Sequence, residues 1–520
     1  MSIHRPTPRE RLTRAEALLW TLLYTAVVAL IASRHELWRD EVRALNIACA
    51  SESLSELRQN LRNEGHPALW YLLLQAGCHL TGSMRVLKVL SIAAASAAVF
   101  LFLRCAPFSR RHKALFAAGL FPLYEYSVVC RNYGIAMLLL FAVAVLHRRR
   151  FTRPLPLTLV LALLANSSAY ALLLAFVIGA ALVLEWWTAA PRVGSPLALA
   201  ASALLLLLGG LCSLWIIYPD ASTSVTDLHV MTAGRLLRAL LLALLLPGHL
   251  FFTSLLRPAE PLSLQLLGYA GSALVSGGLF VAALGLLHRG RLAALLLVAA
   301  ACFCLFSDLV YPASLRHLGL LYLFFLVLLW IQEASDLPGE PSGGRRRRGV
   351  LALLLLSQVV LAVYPVGADL FGAFSSSQRL GAYLRTQPAL AGAVIIGEPD
   401  FLLEALPYYA PNRIYQPRED RYLLKVNFTS VNRQVLSLED VMRAAARLHQ
   451  ATQRPIVIVL GHALRPEGPF QLPAGYKNAF TYSPASLQTF LSRTTALTRF
   501  EGAANDENYA LYLWRDGAAR

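Results

Sequence analysis

Apolar residues gather into long runs over the first two thirds of the chain, at 17–33, 67–81, 84–104, 114–130, 133–147, 154–169, 170–187, 196–218, 236–256, 262–287, 291–307, 316–333 and 349–367. Most approach the length a helix needs to cross a bilayer, roughly 20 residues. Between the first two runs lies the polar stretch 34–66, which has to stand outside the hydrocarbon. From about residue 375 the texture changes to short β-branched strings set among charges of both signs. AVIIG (393–397), PIVIVLG (455–461) and YALYLW (509–514) predict buried strands, and 438–450 predicts an amphipathic helix. The expected fold class is a polytopic α-helical membrane domain over residues 1–367, with its first outward loop at 34–66, followed by a soluble α/β domain over 368–520 that folds as a unit of its own.

Arginine placement sets the topology. Arg5, Arg9, Arg11 and Arg14 precede the first run, which lacks a small-residue cleavage site and so predicts an uncleaved span with a cytoplasmic N-terminus. The clusters Arg104/Arg110/Arg111/Lys113, Arg148 to Arg150 with Arg153, Arg289/Arg291 and Arg345 to Arg348 are all cytoplasmic only if 67–81 and 236–256 do not cross. That predicts about 11 spans, or about 13 if both segments cross, and either count places the C-terminal domain outside. The stretch PGEPSGGRRRR (338–348) reads as a flexible cytoplasmic loop.

Composition supports a membrane protein and changes the reading of charge. Hydrophobic residues make up 57% of the chain and charged ones only 15%, against roughly 25% charged in an average soluble protein. This excludes a disordered chain and an ordinary cytosolic enzyme. The formal net charge of +17 would suggest nucleic acid on a soluble protein. Here the positives flank apolar runs, so their partners are membrane lipid headgroups and no nucleic acid is expected. The seven cysteines show no spacing of a zinc site or a disulfide framework.

On this topology the outward loops and span ends hold Arg39, Asp40, Glu41 and His66, then Tyr124, Arg131 and Tyr133, then Tyr170, and finally Asp308, Tyr311, Arg316 and His317. Ionisable groups there are costly when they face lipid, so they face a cavity or one another, and together they predict one polar pocket. Asp40 and Glu41 are neighbours, about 100° apart on a helix, so one can face a substrate while the other orients a neighbour or a metal. The same residues also read as a solvated helix start with local ion pairs. His66-Pro67 marks the step from polar loop to apolar helix, with proline suited to a first turn. Arg131 and Arg316 stand where a lipid-linked phosphate would lie, a ligand that matches the guanidinium fork. As isolated residues they read equally as interfacial anchors.

In order, LWRDEVRALNIA (37–48), HPALWYLLL (66–74), RNY (131–133) and the late Arg316-His317, followed by an outward soluble domain, resemble the GT-C glycosyltransferase superfamily. The nearest groups are protein O-mannosyltransferases, lipid A aminoarabinose transferases and related bacterial enzymes. The resemblance covers roughly residues 15–330. EPDFLLEALPYYAPNRIYQPRE (398–419) looks like a segment that follows the membrane domain in some bacterial members. It implies a transferase in a bacterial inner membrane that takes a sugar from a polyprenyl-phosphate donor and passes it to a glycan, lipid or protein acceptor. Asp40 matches the family's catalytic acid and Glu41 its partner. Arg131 and Arg316 match arginines placed near the carrier phosphate; Arg39, His66, Tyr124, Tyr133, Tyr170 and His317 join them as candidates for substrate and donor binding because they share the predicted pocket, and a divalent cation is left open.

Family members commonly carry His-Pro-Pro, a Tyr-Thr-His type motif and a late Arg-Tyr. This chain has His66-Pro67-Ala68, Asn166 to Tyr170 and Arg316-His317 instead. The C-terminal domain is expected to cover the pocket or guide acceptor without supplying the base. The rival classes are a transporter or flippase and a non-catalytic envelope scaffold. A transporter usually breaks its spans with charged or Gly/Pro positions near the midplane, whereas here the ionisable residues cluster at span ends.

Overall fold

Thr13 and Glu16 close a reciprocal cap, each side chain accepting the other's backbone N–H, and the first apolar run follows as α1 (Arg14–Arg34). The computed structural model describes residues 12–191, 193–224, 231–246, 248, 261–335 and 344–515. After α1 come α2 (Arg39–Ala50), α3 (Leu54–Asn60), α4 (Leu69–Thr81), α5 (Val86–Cys105), α6 (Arg110–Ala117), α7 (Tyr133–Leu146) and α8 (Pro154–Ala165). The second half adds α9 (Ala169–Thr188), α10 (Pro196–Ile217), α11 (Ala233–Leu245), α12 (Leu262–Leu286), α13 (Gly290–Leu309), α14 (Leu315–Ser335) and α15 (Arg345–Phe371).

Among the described residues eight helices are long and apolar enough to cross a bilayer: α1, α5, α9, α10, α12, α13, α14 and α15. Leu19 and Leu23 of α1, Leu208 and Leu211 of α10, and Leu274 and Val281 of α12 are exposed. Apolar surface on that scale is stable in lipid, and the chain is an integral membrane protein. At the centre stands α14, with Leu320, Leu323, Phe324, Val327 and Leu328 buried.

The arginine clusters share one end of this bundle. His112 meets the Arg348 carbonyl at 3.1 Å, Arg347 reaches His288 at 3.0 Å, Arg289 donates to the Ser335 carbonyl at 3.0 Å, and Arg110 pairs with Glu16 at 2.7 Å. The other end carries α2, α3 and the strand-rich domain. Segment 67–81 forms the 13-residue α4, about 20 Å long, too short to span. Both α4 and the following α5 begin at that other end, where Leu69 N–H donates to the Asn166 carbonyl and Lys88 to the carbonyls of Ala32 and His35. Segment 236–256 becomes α11, tied to the same end by Arg235 and Arg238 on Asp308. Pro247 and residues 249–256 lie outside the described residues.

Three expectations are corrected. Run 114–130 is no single helix: α6 stops at Ala117, and a five-residue π turn (Phe121–Glu125) carrying Pro122 leads into irregular backbone up to Asn132. Such backbone is tolerated at membrane depth only when wrapped by protein, and residues 124–130 are buried. Arg345 to Arg348, read as loop, form the first turn of α15, while 336–343 lie outside the described residues. The cysteines are informative after all, since Cys49 and Cys78 form a disulfide joining the end of α2 to α4. Spacing alone hides this pair, because the intervening loop is what brings the two helices together.

Beyond α15, α16 (Ser377–Thr386), α17 (Leu406–Tyr409), α18 (Leu438–Thr452) and α19 (Pro484–Arg493) pack on strands β1 (Val394–Glu398), β2 (Ile414–Gln416), β3 (Arg421–Tyr422), β4 (Val435–Ser437), β5 (Ile456–Leu460), β6 (Gln471–Pro473), β7 (Ala479–Thr481), β8 (Thr494–Phe500) and β9 (Tyr509–Trp514). The larger sheet has the order β3-β2-β1-β5-β9-β8, with β2, β1 and β5 parallel. Alternation divides its core: Val394, Ile396 and Ile458 face α18 and Phe480, while Ile395, Val457 and Val459 face Leu380, Leu384 and Leu406. A smaller sheet runs β4-β7-β6.

This domain has its own cores but is bolted to α2. Arg39 forks onto Asp506 at 2.6 and 3.0 Å, its N–H donates to Glu507 at 2.8 Å, and Asn46 donates to the carbonyls of Glu404 and Leu424. A strap after α10 adds Ser430 N–H to the Ser222 carbonyl at 2.6 Å.

Candidate active site

One turn of α2 decides where two adjacent carboxylates go. Glu41 is fully buried. It accepts from Cys130 N–H at 2.6 Å and Trp38 N–H at 3.2 Å, and it meets His35 Nε2 at 3.0 Å. The other imidazole nitrogen of His35 meets Asp369 at 2.7 Å. Since both partners are carboxylates, both ring nitrogens donate and His35 is the cation. Burial opposes that charge, but Glu41 and Asp369 push its pKa up to about 9. Glu41 therefore ties together the ends of α1 and α15 and the loop before α7.

Asp40, about 100° round the helix, faces a cavity of about 350 Å³ between the membrane bundle and the strand-rich domain. Its carboxylate meets Arg131 at 2.8 Å and lies 3.9 Å from Arg39 Nε. Burial raises the Asp40 pKa, but Arg131, Arg316 and Arg39 outweigh it and hold the group below the usual carboxylate value. Arg131 also approaches His66 Nε2 at 3.3 Å. A guanidinium only donates, so that nitrogen is an unprotonated acceptor. Burial, then the charge of Arg131, brings the His66 pKa down to about 4.

Of the expected residues, Arg39, Asp40, His66, Arg131, Tyr133, Tyr170 and His317 line this cavity. Tyr170 stacks on His317 at 4.4 Å between ring centres, and Ser314 N–H donates to His317 Nδ1 at 2.8 Å. Arg316 does not line it. Its Nε pairs with Glu125 at 3.0 Å and its guanidinium lies 5.2 Å from the Trp38 ring centre, behind the Asp40 end. Glu41 and Tyr124 are outside the lining as well: Glu41 is committed to His35, and the Tyr124 ring meets His35 edge-on at 6.1 Å.

The C-terminal domain supplies more than a cover, because it brings an acid to the pocket wall. Glu404 lines the cavity beside Phe401, Phe428 and Tyr476. It is committed to Arg43, which also forks onto Glu64 at 2.8 and 2.5 Å. Burial pushes the Glu404 pKa up to about 7 against the pull of Arg43. Glu64 stands two residues before His66, and Trp70 and Tyr71 fall in the same apolar helix start, so those were within reach of sequence reading. Phe428 and Tyr476 carry no local signal at all.

Leu214, Ile217, Phe306 and Val310, at the ends of α10 and α13, form an apolar flank of the cavity. The site thus has a charged floor on α2, an aromatic and acidic roof, and one side of membrane character.

No family model matches the chain, and no curated protein matches it. Among solved structures it is similar to ArnT from Cupriavidus metallidurans bound to undecaprenyl phosphate, at 11% identity and a TM-score of 0.48, over 95% of this chain and 98% of that one. ArnT from the same organism in the apo state is similar at 12% identity and a TM-score of 0.47, over 96% and 98%. The arabinofuranosyltransferase AftD from Mycobacteria is similar at 13% identity and a TM-score of 0.37, over 98% of this chain and 40% of that one.

For a divalent cation the donors do not fit. Among the described residues no group of three or more His, Cys, Asp or Glu side chains is arranged to hold a metal ion. Asp40 and Glu41 point to different surroundings, and His66 Nε2 is taken by Arg131.

Proposed function

We propose that this protein is a GT-C type glycosyltransferase that moves a sugar from a polyprenyl-phosphate donor to an acceptor hydroxyl at the outer face of a bacterial inner membrane. The observation that carries the reading is the pair of Asp40 and Arg131 at 2.8 Å, on the floor of a cavity walled partly by span ends and backed by Arg316. A polyprenyl phosphate is a charged group on a chain that stays in lipid, so its chemistry needs a site of this kind.

The chain's residues divide the work. Asp40 is ionised and accepts the proton of the acceptor hydroxyl as the acceptor oxygen attacks the anomeric carbon. The bond from that carbon to the phosphate oxygen breaks, and the polyprenyl phosphate leaves with the electron pair. Arg131 and Arg316 supply fixed positive charge for the departing phosphate. When phosphate draws Arg131 away from Asp40, the carboxylate loses its strongest charge partner and becomes more basic. Attack from the face opposite the phosphate inverts the sugar carbon. The C-terminal roof meets the acceptor, whether glycan, lipid or protein.

The disulfide Cys49–Cys78 lies in the loop and helix pair bordering the site. Disulfides persist in oxidising compartments, which favours an outward-facing cavity and a cytoplasmic N-terminus.

The test is Asp40→Asn, assayed by transfer of radiolabelled sugar from lipid carrier in membranes. General-base catalysis contributes on the order of 10²- to 10⁴-fold, so turnover should fall by about that factor while expression and donor binding stay near normal. Retention of more than about a tenth of wild-type turnover, outside that range, would remove Asp40 as the base.

A further inference from the structure

At the arginine-rich end of the bundle, away from the active-site cavity, a second space of about 450 Å³ lies between α8, α9 and α10. Small side chains create it, chiefly Gly179 and Ala180 on α9 with Ala200 and Ala203 on α10. A Cβ on Gly179 would meet Leu206 Cδ2 at 2.5 Å, so the two helices touch there, and the groove runs from this contact toward Trp187 and Pro196. Val183 and Leu207 line it and are exposed, which leaves the groove open on its lipid side.

Its mouth is strongly positive. Arg150 and Phe151 of the α7–α8 connection form part of the lining. Arg150 is neutralised by Glu185, which it grips through two bonds of 2.9 and 2.5 Å. Arg148, Arg149 and Arg153 on the same connection are exposed. Glu185 is the acid at this mouth and is already engaged, so the three arginines present uncompensated charge. Trp186 and Trp187, of the residue type that marks headgroup level in a bilayer, line the groove along with Arg150.

We propose that this groove is a binding site for one acyl chain of an anionic phospholipid whose headgroup is held by Arg148, Arg149 and Arg153. Apolar walls open to the bilayer accept a chain from any phospholipid, so the chain alone gives no choice among lipids. Selectivity comes from the mouth, where a headgroup with net negative charge meets positive charge at the membrane surface. The site lies at the opposite end of the bundle from Asp40, and its occupant is neither donor nor acceptor.

The full chain, purified in mild detergent, is titrated with phosphatidylglycerol and phosphatidylcholine and read by native mass spectrometry. One phosphatidylglycerol should be retained about tenfold more tightly than phosphatidylcholine, a modest share of what three arginines near an anionic surface can supply. In R148Q/R149Q/R153Q that preference should vanish, with the melting temperature unchanged because these side chains are on the surface. Ala203→Phe, which fills the groove, should lose both lipids. If it does not fold, the arginine variant decides alone. Equal retention of the two lipids by wild type, or an undiminished preference in the arginine variant, would overturn the proposal. So would displacement of phosphatidylglycerol by polyprenyl phosphate, which would give the groove to the donor's tail.

Discussion

Two neighbouring acids, alike in charge and one methylene apart in length, end in opposite circumstances because α2 turns them about 100° apart. Asp40 keeps 32% of its side chain in contact with solvent, whereas Glu41 keeps none and balances the cation His35. Breaking a buried pair leaves the partner's charge uncompensated, typically at about 3–5 kcal/mol. Glu41→Gln is therefore expected to lower the melting temperature and yield sharply, while turnover per folded molecule falls less than in Asp40→Asn. A fluorescence melt beside the transfer assay separates these, and an unchanged melting temperature would deny Glu41 its bracing role.

His66 gives a second prediction at this scale. Its folded pKa of about 4 lies below the ordinary 6.5, so between these values the unfolded chain binds the extra proton and stability falls as pH falls. His66 should therefore contribute no break to the turnover profile near pH 6.5 and should titrate only toward pH 4. A wild-type inflection at 6.5 that His66→Gln removes would contradict the neutral ring.

At the scale of elements, the segment 34–81 works as one clamp. Its helix α2 carries Asp40 and Arg43, the start of α4 follows His66, and Cys49–Cys78 joins the two. Closing a loop across a sequence separation of 29 typically contributes about 2–4 kcal/mol. Cys49→Ser/Cys78→Ser should melt earlier and lose transfer, and a membrane-impermeant reductant applied to the outer face should lower wild-type activity in the same way. Full activity after verified reduction would leave the bond without a role in holding the site. Sequence patterning identified α2 and the start of α4 because polar-to-apolar steps are local. It read 114–130 as one helix because an apolar run cannot report whether its backbone is wrapped by protein.

At the scale of the molecule, the arginine clusters and the strand-rich domain occupy opposite ends of the bundle. The positive-inside rule then predicts residue 150 in the cytoplasm and residue 400 outside. Single-cysteine labelling with an impermeant maleimide should modify a cysteine at the exposed position 454 of the same domain in intact cells and one at 150 only after lysis, and labelling of both from one side would end this topology. Across the interface the roof is pinned by Arg39 and Arg43 to acids more than 350 positions away in the chain, among them Glu404 and Asp506.

The sequence by itself determined the membrane class, the strands near 394, 456 and 509, and the candidacy of Asp40, because hydropathy, periodicity and charge bias are properties of neighbours along a chain. Only the tertiary structure decided that Glu41 and Tyr124 belong to a structural brace, that Cys49 meets Cys78, and that Glu404, Phe428 and Tyr476 close over Asp40. Those outcomes depend on which distant segments share a cavity or a buried charge, and long-range packing leaves no periodic trace in the residues that take part in it.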